Sequence, residues 1–163
     1  MTDDLIGATR LVPCSVVILS TGSDGNQDAM TATAMFVAED SPLLIISLSK
    51  ESTCYELLER TGECALNVAS ADQVGLVKKV GSTHGRDVDK FKTFEIDVEK
   101  GTRIGSPLIK GAFANLECKV ITSLPVTTYM LYLVEVVAFK KDDTRTPLAW
   151  HKDRYFSLDK EAR

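Results

Sequence analysis

Histidine is almost missing from this 163-residue chain, which has only His84 and His151. Side chains that exchange protons near neutral pH are therefore scarce. The sequence also lacks Gly-x-Ser-x-Gly, His-Glu-x-x-His and Gly-x-Gly-x-x-Gly, which argues against a serine hydrolase, a zincin and a Rossmann dehydrogenase. The four cysteines, Cys14, Cys54, Cys64 and Cys118, form no Cys-x-x-Cys pair. Neither a zinc site nor a dithiol redox motif is visible, and reduced, buried thiols are expected. No apolar run approaches the roughly 18 residues of a transmembrane helix, and Met1-Thr2-Asp3-Asp4-Leu5 is acidic where a signal peptide is basic. A cytoplasmic protein without a membrane partner is expected. A basic excess is missing too: the formal charge is −4, which argues against a general nucleic-acid binder. Lys78-Lys79 and Lys140-Lys141 are short enough to read as solvated faces. No catalytic side chain and no metal ligand is assigned.

What is present is the balance of an ordinary globular protein, 44% hydrophobic and 26% charged. A single domain over residues 1–163 is expected, and one of this size buries roughly 70% of its unfolded surface without disulfides. There is no internal repeat or low-complexity tract.

The most informative stretch runs from Ala29 to Asn67. Ala29-Met30-Thr31-Ala32-Thr33-Ala34-Met35-Phe36 carries little bulk, so a strand here presents a nearly flat surface on which a planar ring can lie. Residues 42–48 read as a strand that is apolar on both faces. The helix that follows, residues 53–61, has Cys54, Leu57 and Leu58 at helical spacing, a Thr53-x-x-Glu56 capping pattern and a stop at Gly62. A helix start exposes unpaired N–H groups and partial positive charge. With Ser49, Lys50, Ser52 and Thr53 beside it, an anion can dock there, although the spacing alone favours a Thr53 that merely caps its helix, as most such threonines do.

Elsewhere, residues 14–21 read as a strand ending in the turn cluster Gly22-Ser23-Asp24-Gly25-Asn26, with a hairpin into 29–37. Residues 63–69 alternate Cys64, Leu66 and Val68 against Asn67, whose amide must find backbone or ligand partners. Residues 71–80 form an amphipathic helix with Val74, Leu76 and Val77 inward, broken at Gly81. The Gly81 to Phe91 loop carries His84, Arg86 and Lys90, and a short strand lies near 95–98. Residues 114–120 alternate, whereas 129–139 are almost continuously apolar and call for cover on both faces. A second copy of the chain would supply that cover, as would a closed barrel with a helix over it. Lys160 to Arg163 reads as a frayed tail. The strand spacing suggests a mainly β, antiparallel barrel with short inserted helices.

In order along the chain, the landmarks are Val16 to Thr21, Asp24-Gly25-Asn26, Met30-Thr31-Ala32, Ser41-Pro42, Ile46-Ser47-Leu48-Ser49, Thr53, Thr61-Gly62-Glu63, Leu66-Asn67-Val68, Val88-Asp89-Lys90-Phe91, Glu135-Val136 and Pro147-Leu148. Over residues 10 to 157 this pattern resembles the flavin reductase-like, FMN-binding split-barrel family, which includes flavoredoxins and the small reductase components of two-component monooxygenases. The resemblance implies a Greek-key split barrel, a homodimer, and FMN in a groove at the boundary of barrel and dimer. It places Thr53 and Lys90 at the FMN phosphate, with Lys50 and Phe91 beside them. It places Met30, Thr31, Ala32 and Thr33 along the isoalloxazine and ribityl chain, Ser47, Leu48 and Ser49 at the tail end, and Asn67 in the pocket wall. Tyr129 and Tyr155 would pack near the ring. The chain departs from the family at Ala29, where Asn is frequent, at Met35, where an aromatic is frequent, and at Tyr129 and Val134, which take places often held by His and Gly.

The resemblance implies an NADH- or NADPH-dependent oxidoreductase. Hydride would pass to the flavin and then to free flavin, a metal complex or a protein acceptor, while backbone amides of residues 30–33 favour the reduced ring. Scarce acid–base side chains suit that chemistry. A non-enzymatic FMN carrier, and a related split barrel for haem or another phosphorylated cofactor, remain open as alternatives.

Overall fold

In the computed structural model, which describes residues 3–162, the chain begins with helix α1 (Asp3–Thr9) and a short strand β1 (Cys14–Ser15). Met1, Thr2 and Arg163, the outermost residues of the acidic start and of the tail, lie outside the described residues. Strands β2 (Val17–Ser23) and β3 (Asn26–Ala32) form a hairpin from Val17↔Ala32 to Ser23↔Asn26. Its two turn residues, Asp24 and Gly25, have φ of 54° and 83°, the left-handed pair that matches the twist of flanking strands.

The chain does not continue as one strand to residue 37. It breaks at Thr33, and β4 (Ala34–Phe36) leaves β3 to pair with β5 (Leu43–Ser49). With β6 (Glu63–Val68), β9 (Ala114–Val126) and β10 (Tyr129–Lys141), these strands make a seven-stranded antiparallel sheet in the order β3-β2-β6-β9-β10-β5-β4. Its first and last strands are separated in sequence by Thr33 alone, so the sheet must curl round on itself. Ser15 Oγ fastens the bend, accepting from the Ala34 amide at 3.0 Å and donating to the Ala34 carbonyl at 2.5 Å. The β2–β6 and β10–β5 neighbours are joined by longer connections, and the expected mainly β split barrel is what forms.

Both faces of β2 are buried, for two different reasons. Val17 and Leu19 point into the barrel with Ile46, Leu48, Leu66, Tyr132 and Val134. Ile18, with Val16 just before the strand, points outward, beneath Val77 and Val80 of α3 (Val74–Ser82) and Phe91 of α4 (Lys90–Thr93). Helix α2 (Thr53–Thr61) packs Cys54 and Leu58 on the barrel core, and its Glu59 accepts from the Tyr132 hydroxyl at 2.7 Å. It ends at Gly62, whose φ of 68° is the left-handed cap glycine supplies cheaply.

Residues 71–73 form a 3-10 turn before α3. The helix runs one residue past the break expected at Gly81, and the bare glycine lets α3 lie close on β3: a methyl group there would sit 3.1 Å from Thr31 Oγ1. Glu95, at φ 52°, turns the chain sharply after α4, so the short strand expected near 95–98 forms later. It is β7 (Val98–Glu99), paired with β8 (Leu108–Ile109). The loop between them wraps the carboxylate of Glu117, which accepts from the amides of Thr102, Arg103 and Ile104 and from the Thr102 hydroxyl at 2.6–3.2 Å. Burial opposes ionisation of Glu117, yet these donors hold its carboxyl below the usual range. Strands β11 (Leu148–His151) and β12 (Arg154–Ser157) form a second sheet with β1.

Cys54, Cys64 and Cys118 are buried free thiols, whereas Cys14, expected to be buried, is only half covered. Strand β10 is also less covered than its apolar run suggested. Tyr132 and Val134 face the barrel, but Tyr129 is 48% exposed and its cross-strand partner Val126 is 45% exposed. On the same outer face stand Leu131 opposite Leu124, and Leu133 in line with Ile45 and Met35.

Candidate functional site

Strand β5 ends at Ser49 and hands the chain to α2 through a tight turn. The Ser52 amide and hydroxyl both donate to the Ser49 carbonyl, at 3.1 and 2.8 Å. Ser52 is extended, at φ −81° and ψ 146°, and its Oγ accepts from the Tyr55 amide at 3.1 Å. Ser52, not Thr53, is therefore the helix cap. Thr53 lies inside the first turn, and its Oγ1 is buried without a hydrogen-bond partner among the described residues. Such a group costs about 1–3 kcal/mol when left unpaired, so its persistence at the positive end of a helix suits an incoming anion.

Thr53 opens on a groove of about 400 Å³, within the range of small-molecule sites. One wall is β3, with Met30 and Thr31; a second is the turn Ser49 to Thr53; a third is Val80 to Gly85 at the end of α3 and beyond. Thr31 Oγ1 donates to the Val77 carbonyl at 2.6 Å, which fastens α3 to β3 along this wall. Thr31 also borders two adjoining hollows that continue past Ala32 and Thr33 to Trp150 and Tyr155. The long axis of the site thus follows β3. As the first strand of the sheet order, β3 has one edge outside the ladder, where the amides and carbonyls of alternate residues have no strand partner.

Beneath the groove lies a buried charge pair. Lys90 Nζ is 3.2 and 3.4 Å from the two carboxylate oxygens of Asp28 and donates to the Ala29 carbonyl at 2.5 Å. The two side chains are 3% and 4% exposed. The Cys54 thiol donates to Asp28 at 3.4 Å, and burial together with the neighbouring carboxylate pushes that thiol well above its usual range. Gly85 closes over the pair; a β-carbon there would come within 2.2 Å of an Asp28 oxygen.

Met30, Thr31, Ser49, Thr53 and Lys90 are therefore brought to one groove, with Ala32, Thr33 and Tyr155 along its continuation. The remaining residues expected there are elsewhere. Leu48 is wholly inside the barrel, and Phe91 packs in the core under α3. Ser47 is exposed on the outer face opposite Leu131, and Tyr129 shares that face. Lys50 turns away, its Nζ donating to the Thr127 carbonyl at 2.9 Å and its amide to the Thr128 carbonyl at 3.0 Å. Asn67 is fully buried with both ends satisfied: Nδ2 donates to the Ile18 carbonyl and Ser20 Oγ, while Oδ1 accepts from the Ile109 amide and Asn115 Nδ2. It has no free group for a ligand.

Sequence reasoning did not place Asp28, Gly81, Gly85 and Trp150 at the groove or its continuation. Asp28 carried a signal, because it shares strand parity with Met30 and Ala32, and a carboxylate on an inward face requires a partner. Trp150 stands opposite Tyr155 in the β11–β12 register, a pairing that no local pattern reveals.

This is the class of a split-barrel protein with an open ligand groove along its edge strand. The chain belongs to the family of the flavin reductase like domain, whose model matches residues 9–159. It is 24% identical over 147 residues to the FMN reductase (NADH) of Cronobacter sakazakii, covering 90% of this chain and 86% of that one. It is 28% identical to an NADH-dependent flavin reductase of a Rhodococcus species, covering 88% and 79%. The solved NADH:FAD oxidoreductase of Streptomyces globisporus superposes with a TM-score of 0.85 at 24% identity, covering 98% of this chain and 96% of that one.

Proposed function

We propose that this protein is an FMN-binding flavin reductase that oxidises NADH or NADPH and passes the electrons to free flavin, a metal complex or a protein acceptor. The observation that carries this reading is the partnerless Thr53 hydroxyl at the start of α2, in a groove that runs along the open edge of β3. That donor set fits FMN. Thr53 Oγ1 and the amides at the head of α2 would take the phosphate, the Lys90 charge lies beneath it, and Met30 to Thr33 would flank the ribityl chain and ring. Trp150 and Tyr155 would border the far end. When bound, FMN supplies the hydride and electron chemistry. The chain's own part is to bind and orient: the fixed amides of β3 need no reorganisation to face a ring that gains negative charge on reduction. The activities named for the Cronobacter and Rhodococcus relatives support the same reading.

A homodimer completes the proposal. The outer face of β4, β5, β10 and β9 carries Met35, Ile45, Leu133, Leu131, Leu124 and Tyr129, and the same face includes Ser49 at the lip of the groove. An apolar sheet face of that extent suits a twofold partner, whose edge would then border the ligand. The cytoplasm is the proposed place of work; no helix among the described residues is long and apolar enough to cross a membrane.

The test is anaerobic addition of NADH or NADPH to the FMN-loaded protein. Loss of the visible absorption of oxidised flavin is expected. Bound FMN that neither nicotinamide reduces would make the protein a carrier instead, and failure to take up FMN would remove both readings.

A further inference from the structure

A carboxylate buried under a site for a phosphate is a conflict of charge. Asp28 lines the groove at 3% exposure, and its Oδ1 makes no hydrogen bond, although it stands 3.2 Å from Lys90 Nζ. Lys90 is the only lysine or arginine among the lining residues, whereas Asp28 and Glu51 both line it. The other nearby cations are engaged: Lys50 with the Thr127 carbonyl, Arg86 with Glu56. A dianion entering this groove therefore meets a lysine whose charge is already offset.

Stability alone does not account for the arrangement, because a buried ion pair is commonly no more stable than apolar groups of the same volume. Position is the informative feature: both partners border the groove, and the bare α-carbon of Gly85 packs close against the carboxylate, where a side chain would not fit. We propose that Asp28 sets how loosely the groove holds a phosphorylated ligand. By pairing with Lys90 it leaves the phosphate to the neutral donors at the head of α2, so that flavin is taken up and released rather than retained. This rests on the flavin reading above.

The experiment compares wild type, Asp28→Asn, Lys90→Met and the double variant. Dissociation constants are measured for FMN and for riboflavin, which lacks the phosphate, with thermal unfolding to confirm the fold of each. Removing one charge beside a dianion is expected to tighten FMN binding by Asp28→Asn at least about tenfold, and baring the carboxylate in Lys90→Met to weaken it by a similar factor. The double variant replaces a net-neutral pair by a neutral one and should return to within about threefold of wild type. Riboflavin binding should follow none of these changes, so the FMN-to-riboflavin ratio separates a charge effect from a structural one. If Asp28→Asn does not fold, Lys90→Met against the double variant makes the same comparison. An unchanged ratio in Asp28→Asn, or a double variant as weak as Lys90→Met, overturns the role of Asp28 alone. Wild type that binds no FMN overturns the flavin reading and this proposal with it.

Discussion

Replacing Thr53 by valine keeps the shape of the side chain and removes its hydroxyl, and the two states of the protein should respond in opposite directions. Without ligand, Oγ1 is buried with no partner, so its removal relieves a penalty of about 1–3 kcal/mol. Threonine and valine have similar helix propensities, and the cap itself belongs to Ser52. The ligand-free variant should therefore melt at the wild-type temperature or higher. With FMN the balance reverses, because a hydrogen bond to a charged group contributes about 1.5–3 kcal/mol, which corresponds to a dissociation constant about 10- to 150-fold weaker. Riboflavin should bind equally to both proteins. Calorimetric titration with each flavin, beside thermal unfolding of the ligand-free proteins, measures all three quantities. Unchanged FMN affinity would refute the phosphate site, and a marked fall in ligand-free stability would show that the hydroxyl has a structural partner.

Ser52→Ala removes the acceptor for the Tyr55 amide and should cost about 1 kcal/mol in urea unfolding, unlike Thr53→Val. Glu117, with its carboxyl held below the ordinary value of 4.5, stabilises the fold above that value, and the contribution is lost as pH falls through the lower folded pKa. Glu117→Gln should be less stable at neutral pH and should lose less on acidification, as read from denaturation midpoints across an acid series. If the proposed dimer forms through the outer face, Leu124→Asp, opposite Leu131, should sediment as a monomer where wild type sediments as a dimer, with the circular dichroism spectrum intact. Gly85→Ala drives a methyl group to within 2.2 Å of the Asp28 carboxylate; the loop must shift, and FMN affinity should change with little loss of secondary structure.

Much of the fold was legible because it is written in local signals. The Asp24-Gly25 turn, the alternation of β6 and the stop at Gly62 each act within a few residues, and each forms where it was read. Thr53 and Ser52 show where that logic stops. Both can cap a helix, and only the extended backbone of Ser52 decides between them, which in turn frees the Thr53 hydroxyl for the groove. Asn67 was ambiguous for a related reason. Its orientation was clear from the alternation, but its partners Ile109 and Asn115 come from distant segments, so sequence could not show that the amide is fully occupied. The break at Thr33 was hidden as well, since no glycine or proline marks it and the reason for it is the pairing of β4 with a strand on the far side of the sheet.

That single-residue link also governs how the molecule comes together. Because Thr33 ties opposite margins of the sheet, the β2–β3 and β4–β5 pairs are both local, whereas the ring closes only when β5 meets β10 and Ser49 finds Tyr129 across a long span of chain. Assembly of this kind ends in ring closure rather than steady zippering, with the loop entropy met before the final contacts repay it. The groove beside β3 borders that closure, because Ser49 both lines the groove and stands opposite Tyr129 at the seam.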